Sequence, residues 1–467
     1  MMKVTDLIKL GQKALKIFDE YIAEEHVEPP MRVYVRHFHT EFEISETSNK
    51  GSSSSEIIRK PFWVGIVYDF MEKKIKPMPE FAQLAQSIAK KYKQNILTIA
   101  PTASYVNQSV FWLEMFIQRL IYESLDGSLS EDSLIEYASL FMSELELTPT
   151  EYKYVDYLDG LFLEMDRLVI NDNVLIRKVQ KSDLEYERDI SFDMPSPQYM
   201  SIGLPSSIME TTISSRDERE CYGYKSRIFN SLRMYKLGTI YSKETRSTKR
   251  TVIWPMGVGL SSGTRRPFAF RQYTVKKPEA DSFVNFVNAI EQKLNFDKEA
   301  KKFRSLHISI ERYNSALLES VGVDRKLMTT VMGLESLFTL EKDRGENAFK
   351  LGIRVAKLLG HLGFDTERVR ALVEESYNFR NKVVHGSYIS QEGNKRMSEI
   401  LPYILDYLRV SLIIFIFSQG TGKDKIIEMI DKSTVSDIRD RELKKVLEKN
   451  TKEFSDMLVL TNGKAPK

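Results

Sequence analysis

The run Tyr377-Asn378-Phe379-Arg380-Asn381-Lys382-Val383-Val384-His385-Gly386 gathers a guanidinium, a carboxamide and an imidazole within six residues. Asn381 and His385 are four apart and share a helical face. Arg380 lies about 100° round the same helix, and its long side chain reaches the same end. Val383 and Val384 are expected to pack inward. Gly386 is expected to stop the helix and leave the imidazole near an exposed terminus. These groups suit cleavage of RNA, whose 2′-hydroxyl is a nucleophile already present in the substrate. That hydroxyl needs a proton acceptor, the 5′-oxygen leaving group needs a proton donor, and the pentavalent phosphorus needs positive charge. Histidine exchanges protons near neutrality. Arginine offers a planar fork matching phosphate oxygens, and asparagine can orient the imidazole or the phosphate. Lys382 is a candidate RNA contact. The scheme calls for no metal or other cofactor. One helix supplies one histidine and one arginine, whereas two copies across a twofold axis supply two of each. The plainer alternative is a pair of solvated side chains at a helix end, where a cation is favoured anyway.

Other chemistries lack their residues. The sequence has no P-loop, no dinucleotide-binding glycine pattern after a strand, no Gly-x-Ser-x-Gly and no His-Glu-x-x-His. His37 and His39 fall at strand spacing and share a face. A half-exposed strand is favoured over a two-histidine metal site, because no third ligand is evident. The single cysteine, Cys221, excludes an intrachain disulfide and a zinc site built on several thiolates. It fits a reducing, cytoplasmic setting and reads as an incidental thiol.

The elements that must position Arg380 and His385 follow from pattern. At 467 residues, 42% hydrophobic and 28% charged, the chain is long and apolar enough for two or three domains with real cores. Met1–Glu25 reads as an amphipathic helix. Its Asp6, Asp19 and Glu20 argue against a signal or transit peptide. Residues 32–38, 42–44 and 61–70 look like strands, Gly51–Ser55 like a flexible polar loop, and Phe81–Tyr92 and Asn107–Leu125 like helices. Strands are expected again at Leu237–Tyr241, Thr251–Trp254 and Phe268–Val275. From about Ser282 helical spacing dominates: 282–294, 298–319, 324–340, 346–362, 365–385 and 395–417. A kink or restart is expected at Pro402. Asp324 and Asp365 are expected N-caps, and Gly363 and Gly386 C-terminal stops. Val410–Phe417 is the most apolar run, too short to span a bilayer, so no membrane is expected. The expected class is α+β: a mixed α/β region, 1–280, followed by a helical bundle, 281–467.

Charge is unevenly spread. Residues 111–170 hold 13 Asp and Glu against 3 Lys and Arg, whereas 225–277 hold 13 Lys and Arg against one acid, Glu244. The basic stretch, interleaved with aromatics, is a candidate RNA grip, with Lys249, Arg250, Arg265 and Arg266 the residues to test. The equally weighted alternative is that it packs against the acidic stretch.

The sextet Arg380–His385 matches the pattern of HEPN ribonucleases, in which an arginine and a polar residue precede a histidine. Gly333-Leu334-Glu335-Ser336-Leu337-Phe338 and Phe349-Lys350-Leu351-Gly352-Ile353-Arg354-Val355-Ala356 precede it in the order of the Apea-like branch, and Ile308–Ala316 also resembles it. The resemblance is good over about 300–390; upstream, only 174–178 is suggestive. It implies an all-α HEPN bundle that dimerises so that two motifs face one another, and metal-independent RNA cleavage. Many members serve as toxins in antiviral abortive infection, so an activating phage or host factor is an expected partner. Arg380 and His385 become the catalytic pair and Asn381 their helper. Glu335, Lys350 and Arg354 read first as structural ion-pair residues and second as supports of Arg380 or His385. Tyr377, one turn before Arg380, packs or stacks on a base. The alternative function is a non-catalytic HEPN dimerisation or nucleotide- and RNA-binding module that regulates a partner protein.

Overall fold

A computed structural model describes residues 3–45, 49–99, 104–189, 204–215, 218–247, 272–296, 301–343 and 345–451. Helix α1 (Val4–Glu24) precedes the strands β1 (Met31–Ile44) and β2 (Asn49–Pro61). Then come α2 (Val64–Phe70), α3 (Pro79–Lys91), α4 (Lys93–Ile99), α5 (Tyr105–Leu125) and α6 (Glu131–Leu145). The middle of the chain holds β3 (Thr150–Asp159), β4 (Leu161–Leu163), β5 (Arg167–Asn171), β6 (Val174–Arg177), β7 (Tyr186–Asp189), β8 (Ser207–Ser215), α7 (Glu218–Tyr235), β9 (Tyr241–Ser247) and β10 (Tyr273–Val275). The rest is helical: α8 (Ala280–Lys293), α9 (Arg304–Leu318), α10 (Val323–Phe338), α11 (Asn347–Gly360), α12 (Thr366–Val384), α13 (Gln391–Phe417), α14 (Lys423–Ser433) and α15 (Asp437–Thr451). The class is α+β, a mixed region followed by helices.

Two expectations near the N-terminus are corrected. Gly51–Ser55 is strand, because its backbone pairs in register with β1, from Phe42 opposite Gly51 to His37 opposite Ser55. Ladder hydrogen bonds need no apolar side chain, so a polar run joins when its partner is long enough. The stretch 61–70 is mostly helix. Val67, Phe70, Met71 and Ile75 are all buried, at spacings of three and four, against α1 and α5. His37 and His39 lie on β1, but their side chains are outside the described set. Among the described residues no group of three His, Cys, Asp or Glu is arranged to hold a metal ion.

The five-stranded antiparallel sheet runs β5-β6-β8-β3-β9. Leu237–Ile240 is a buried connector rather than a strand, because α7 carries its apolar stripe as far as Tyr235. The strands expected at Thr251–Trp254 and in the first part of Phe268–Val275 lie outside the described residues; β10 is the described remainder. One buried cluster joins Leu158, Ile176 and Met209 of this sheet to Phe283, Val331 and Leu408 of the helices. A second holds α1 to α6. The change to all-helix near residue 280 therefore falls within one continuous core.

That core is organised round α13. Its residues from Ile404 to Phe417 are buried without a break, as expected of a helix surrounded by others. It is the one helix among those described that is long and apolar enough to cross a membrane, and 89% of that apolar window is buried inside the protein. It neither restarts nor ends at Pro402. Within it the fully buried Arg409 guanidinium bonds Asp406 Oδ1 at 2.7 Å and the carbonyls of Met234 (2.7 Å) and Tyr235 (3.1 Å) at the end of α7. This joint ties the end of α7 to α13. Asp406→Ala leaves a buried cation short of its counter-ion and should cost about 3–5 kcal/mol in urea unfolding. A loss below about 1 kcal/mol would mean that the two carbonyls suffice.

Candidate active site

Helix α12 begins at Asp365, whose carboxylate accepts from the Arg368 N–H at 3.0 Å as expected. The other expected N-cap is displaced: α10 starts at Val323 behind Gly322, with Asp324 inside the first turn. At its far end α12 stops in a glycine cap. Gly386 N–H donates to Val383 O (3.1 Å) and Ser387 N–H to Lys382 O (2.9 Å), with Gly386 at φ +67°. His385 is the cap residue. It is exposed, and its imidazole has no hydrogen-bond partner among the described residues. The buried stripe of α12 ends at Tyr377. Val384 therefore does not pack inward as expected but is 53% exposed, beside Tyr388 at 90%.

Arg380 is held on three sides. Nη1 donates to Asn381 Oδ1 at 3.0 Å, Nη2 to Glu335 Oε2 at 3.3 Å, and the guanidinium lies 5.4 Å from the centre of the Tyr377 ring. Its Nε is buried with no hydrogen-bond partner among the described residues. Burial, then the nearby Glu335 carboxylate, pushes the Tyr377 phenol above its ordinary value, while Arg380 and the Asn347 side chain act the other way. Glu335 comes from α10, Asn347 from the first turn of α11 and the rest from α12. Gly333 sets the distance, since a Cβ there would sit 2.7 Å from Leu408 of α13. Asn381 thus orients the arginine. Lys382 is exposed, with its ammonium 5.7 Å from the Phe379 ring centre.

Arg354 and Lys350 part company with this cluster. Arg354 is buried and forks to Asp343 (2.6 and 3.1 Å) and Asp431 (2.8 Å twice), with a further bond to Phe338 O. It clamps α11, the 339–346 loop and α14, and Lys350, one turn earlier, acts electrostatically on the same Asp343. Of the three residues read together, only Glu335 supports Arg380. Asn347 was missed, because nothing local in the sequence marks a helix-start carboxamide as the partner of a tyrosine thirty residues on.

Lys249, Arg250, Arg265 and Arg266 lie outside the described residues. The described part of the basic stretch meets the acidic one. Strand β9 pairs with β3, Lys225 bonds Asp156 at 2.9 Å and Lys243 bonds Asp159 at 3.1 Å.

Comparison with family models, curated proteins and solved structures finds no match to the chain. The resemblance to HEPN proteins therefore rests on the quoted residues alone.

The two ion-pair clusters should differ in what they contribute to stability. Arg354→Ala strands two carboxylates and should cost about 3–5 kcal/mol. Glu335→Gln removes a half-exposed pair and should cost less than about 1 kcal/mol. Chemical unfolding of both variants checks this; equal losses would contradict the division into a clamp and a site.

Proposed function

We propose that the chain is a metal-independent endoribonuclease of the HEPN type, acting as a homodimer. The observations that carry this are an arginine steadied by Glu335, Asn381 and Tyr377 and, at the end of the same helix, an exposed imidazole with no hydrogen-bond partner among the described residues. Two of the five guanidinium N–H groups are committed, and the planar fork retains donors for a phosphate. One His385 takes the 2′-hydroxyl proton while the 2′-oxygen attacks phosphorus. The P–O5′ bond breaks, and a second His385 protonates the departing oxygen. The products are a 2′,3′-cyclic phosphate and a 5′-hydroxyl. Arg380 stabilises the charge on the phosphorane.

A single chain offers one such imidazole, so the scheme asks for a second copy. Exposed Val384 and Tyr388 flank His385 and give a twofold contact an apolar surface. The resemblance adds a cytoplasmic role in shutting down a phage-infected cell, with a phage or host factor as trigger.

Purified protein incubated with labelled RNA in EDTA tests the proposal. Wild type should cut, whereas His385→Ala and Arg380→Ala should each lose at least about a hundredfold in rate while remaining dimeric. Equal RNA decay in all three, or cutting by a monomer, would refute it and favour a non-catalytic HEPN module.

A further inference from the structure

Away from Arg380, a cavity of about 1170 Å³ opens where the starts of α9 and α14 meet the loop after α10. Five cations line it: Lys302, Arg304, Lys342, Lys423 and Lys425. Three acids share the wall, but one of them, Glu428, is paired with Lys342 at 3.6 Å. Lys302, Arg304, Lys423 and Lys425 make no salt bridge within 4 Å among the described residues, and in the lining five cations outnumber the three acids Glu341, Asp424 and Glu428. Lys423 is the half-buried member. Its Nζ has one long bond, 3.4 Å to Ser305 Oγ, and burial depresses its basicity. A cation held this way gains from an anion that restores its partner.

The backbone adds to the side chains. Helices α9 and α14 both start at this cavity, and neither start has a side-chain cap. Helix α14 starts behind Gly422, which puts the positive end of its dipole at the cavity wall, whereas α9 runs on from a short 3-10 turn, Lys301–Phe303. Gly422, at φ +80°, turns the chain there without a Cβ. Ile308 and Leu340 supply apolar wall. The space is far larger than one phosphate needs and suits a ligand of cofactor size.

We propose that this cleft binds a small polyphosphate anion, the shared chemistry of inorganic triphosphate and a nucleoside triphosphate, with Lys423 and Arg304 as its main ligands. It is separate from the Arg380 cluster and stands whether or not that cluster cuts RNA.

Calorimetric titration of the full chain with inorganic triphosphate, ATP and adenosine, each in EDTA, tests it. Triphosphate and ATP should bind at micromolar to sub-millimolar concentration and weaken as salt rises; adenosine should not bind. Tighter binding of ATP than of triphosphate identifies the nucleotide as the fitting source, and equal binding identifies the phosphate chain alone. Both are supporting results. Lys423→Ala and Arg304→Ala should each weaken binding about tenfold, with unfolding midpoints little changed because Arg304 is exposed and the half-buried Lys423 has only a 3.4 Å bond to lose. Lys432→Ala, on α14 outside the lining, should bind as wild type does. The proposal is overturned by no binding at millimolar triphosphate, by undiminished binding in the Lys423→Ala, Arg304→Ala double variant, or by binding of an RNA oligomer there without triphosphate.

Discussion

A missing side chain at Gly333 is the constraint from which the site is built. It lets α10 lie so close to α13 that Leu408 occupies the space a Cβ would take. Two residues further along α10, Glu335 then stands opposite α12 and meets Arg380 and Tyr377. Because α13 is buried on every side from Ile404 to Phe417, that part is a fixed wall against which α10 and α12 pack. The cluster is therefore set by core packing and only finished by polar contacts. A carboxylate on a looser helix would spend its time in solvent, since a pair of this exposure contributes little by itself.

Two arginines of the same bundle show what decides between support and chemistry. Arg354 has its donors saturated by Asp343, Asp431 and a carbonyl, and it is 5% exposed. It can bind nothing further. Arg380 has one carboxylate at 3.3 Å, a neighbouring carboxamide and a ring, and keeps donors in reserve. The charge is the same in both cases. What differs is how much of the guanidinium the fold has already used.

Much of this was legible in the sequence. The six helices from Ser282 to Phe417 follow from long apolar periodicity, and the end of α12 follows from Gly386, whose absent Cβ makes positive φ cheap. Short elements were not so readable. The stretch 61–70 is an apolar run too brief to separate helix from strand, and Gly51–Ser55 carries no strand signal because its partner β1 supplies the reason to be extended. At the site, Glu335 was named only as one of three alternative supports for Arg380 or His385, and Asp431, the partner of Arg354, was not singled out. Glu335 and Arg380 are 45 residues apart, and Arg354 and Asp431 are 77 apart. Pairings of that kind are decided by helix packing, which no local pattern encodes.

The cap that ends α12 also limits what one chain can do. It places a single imidazole at the surface, with the helix axis behind it and no second proton carrier among its described bonding partners. Cleavage through a 2′-oxygen moves two protons, one on and one off, at opposite sides of phosphorus. A lone exposed histidine would have to do both in turn, with water reaching the phosphorane between the steps. A second copy supplies the missing carrier without any new residue, provided that its α12 end arrives from across a twofold axis. On the proposed reading, the exposed Val384 and Tyr388 would bring two helix ends together, and Glu335 would keep each Arg380 guanidinium aimed until phosphate competes for it.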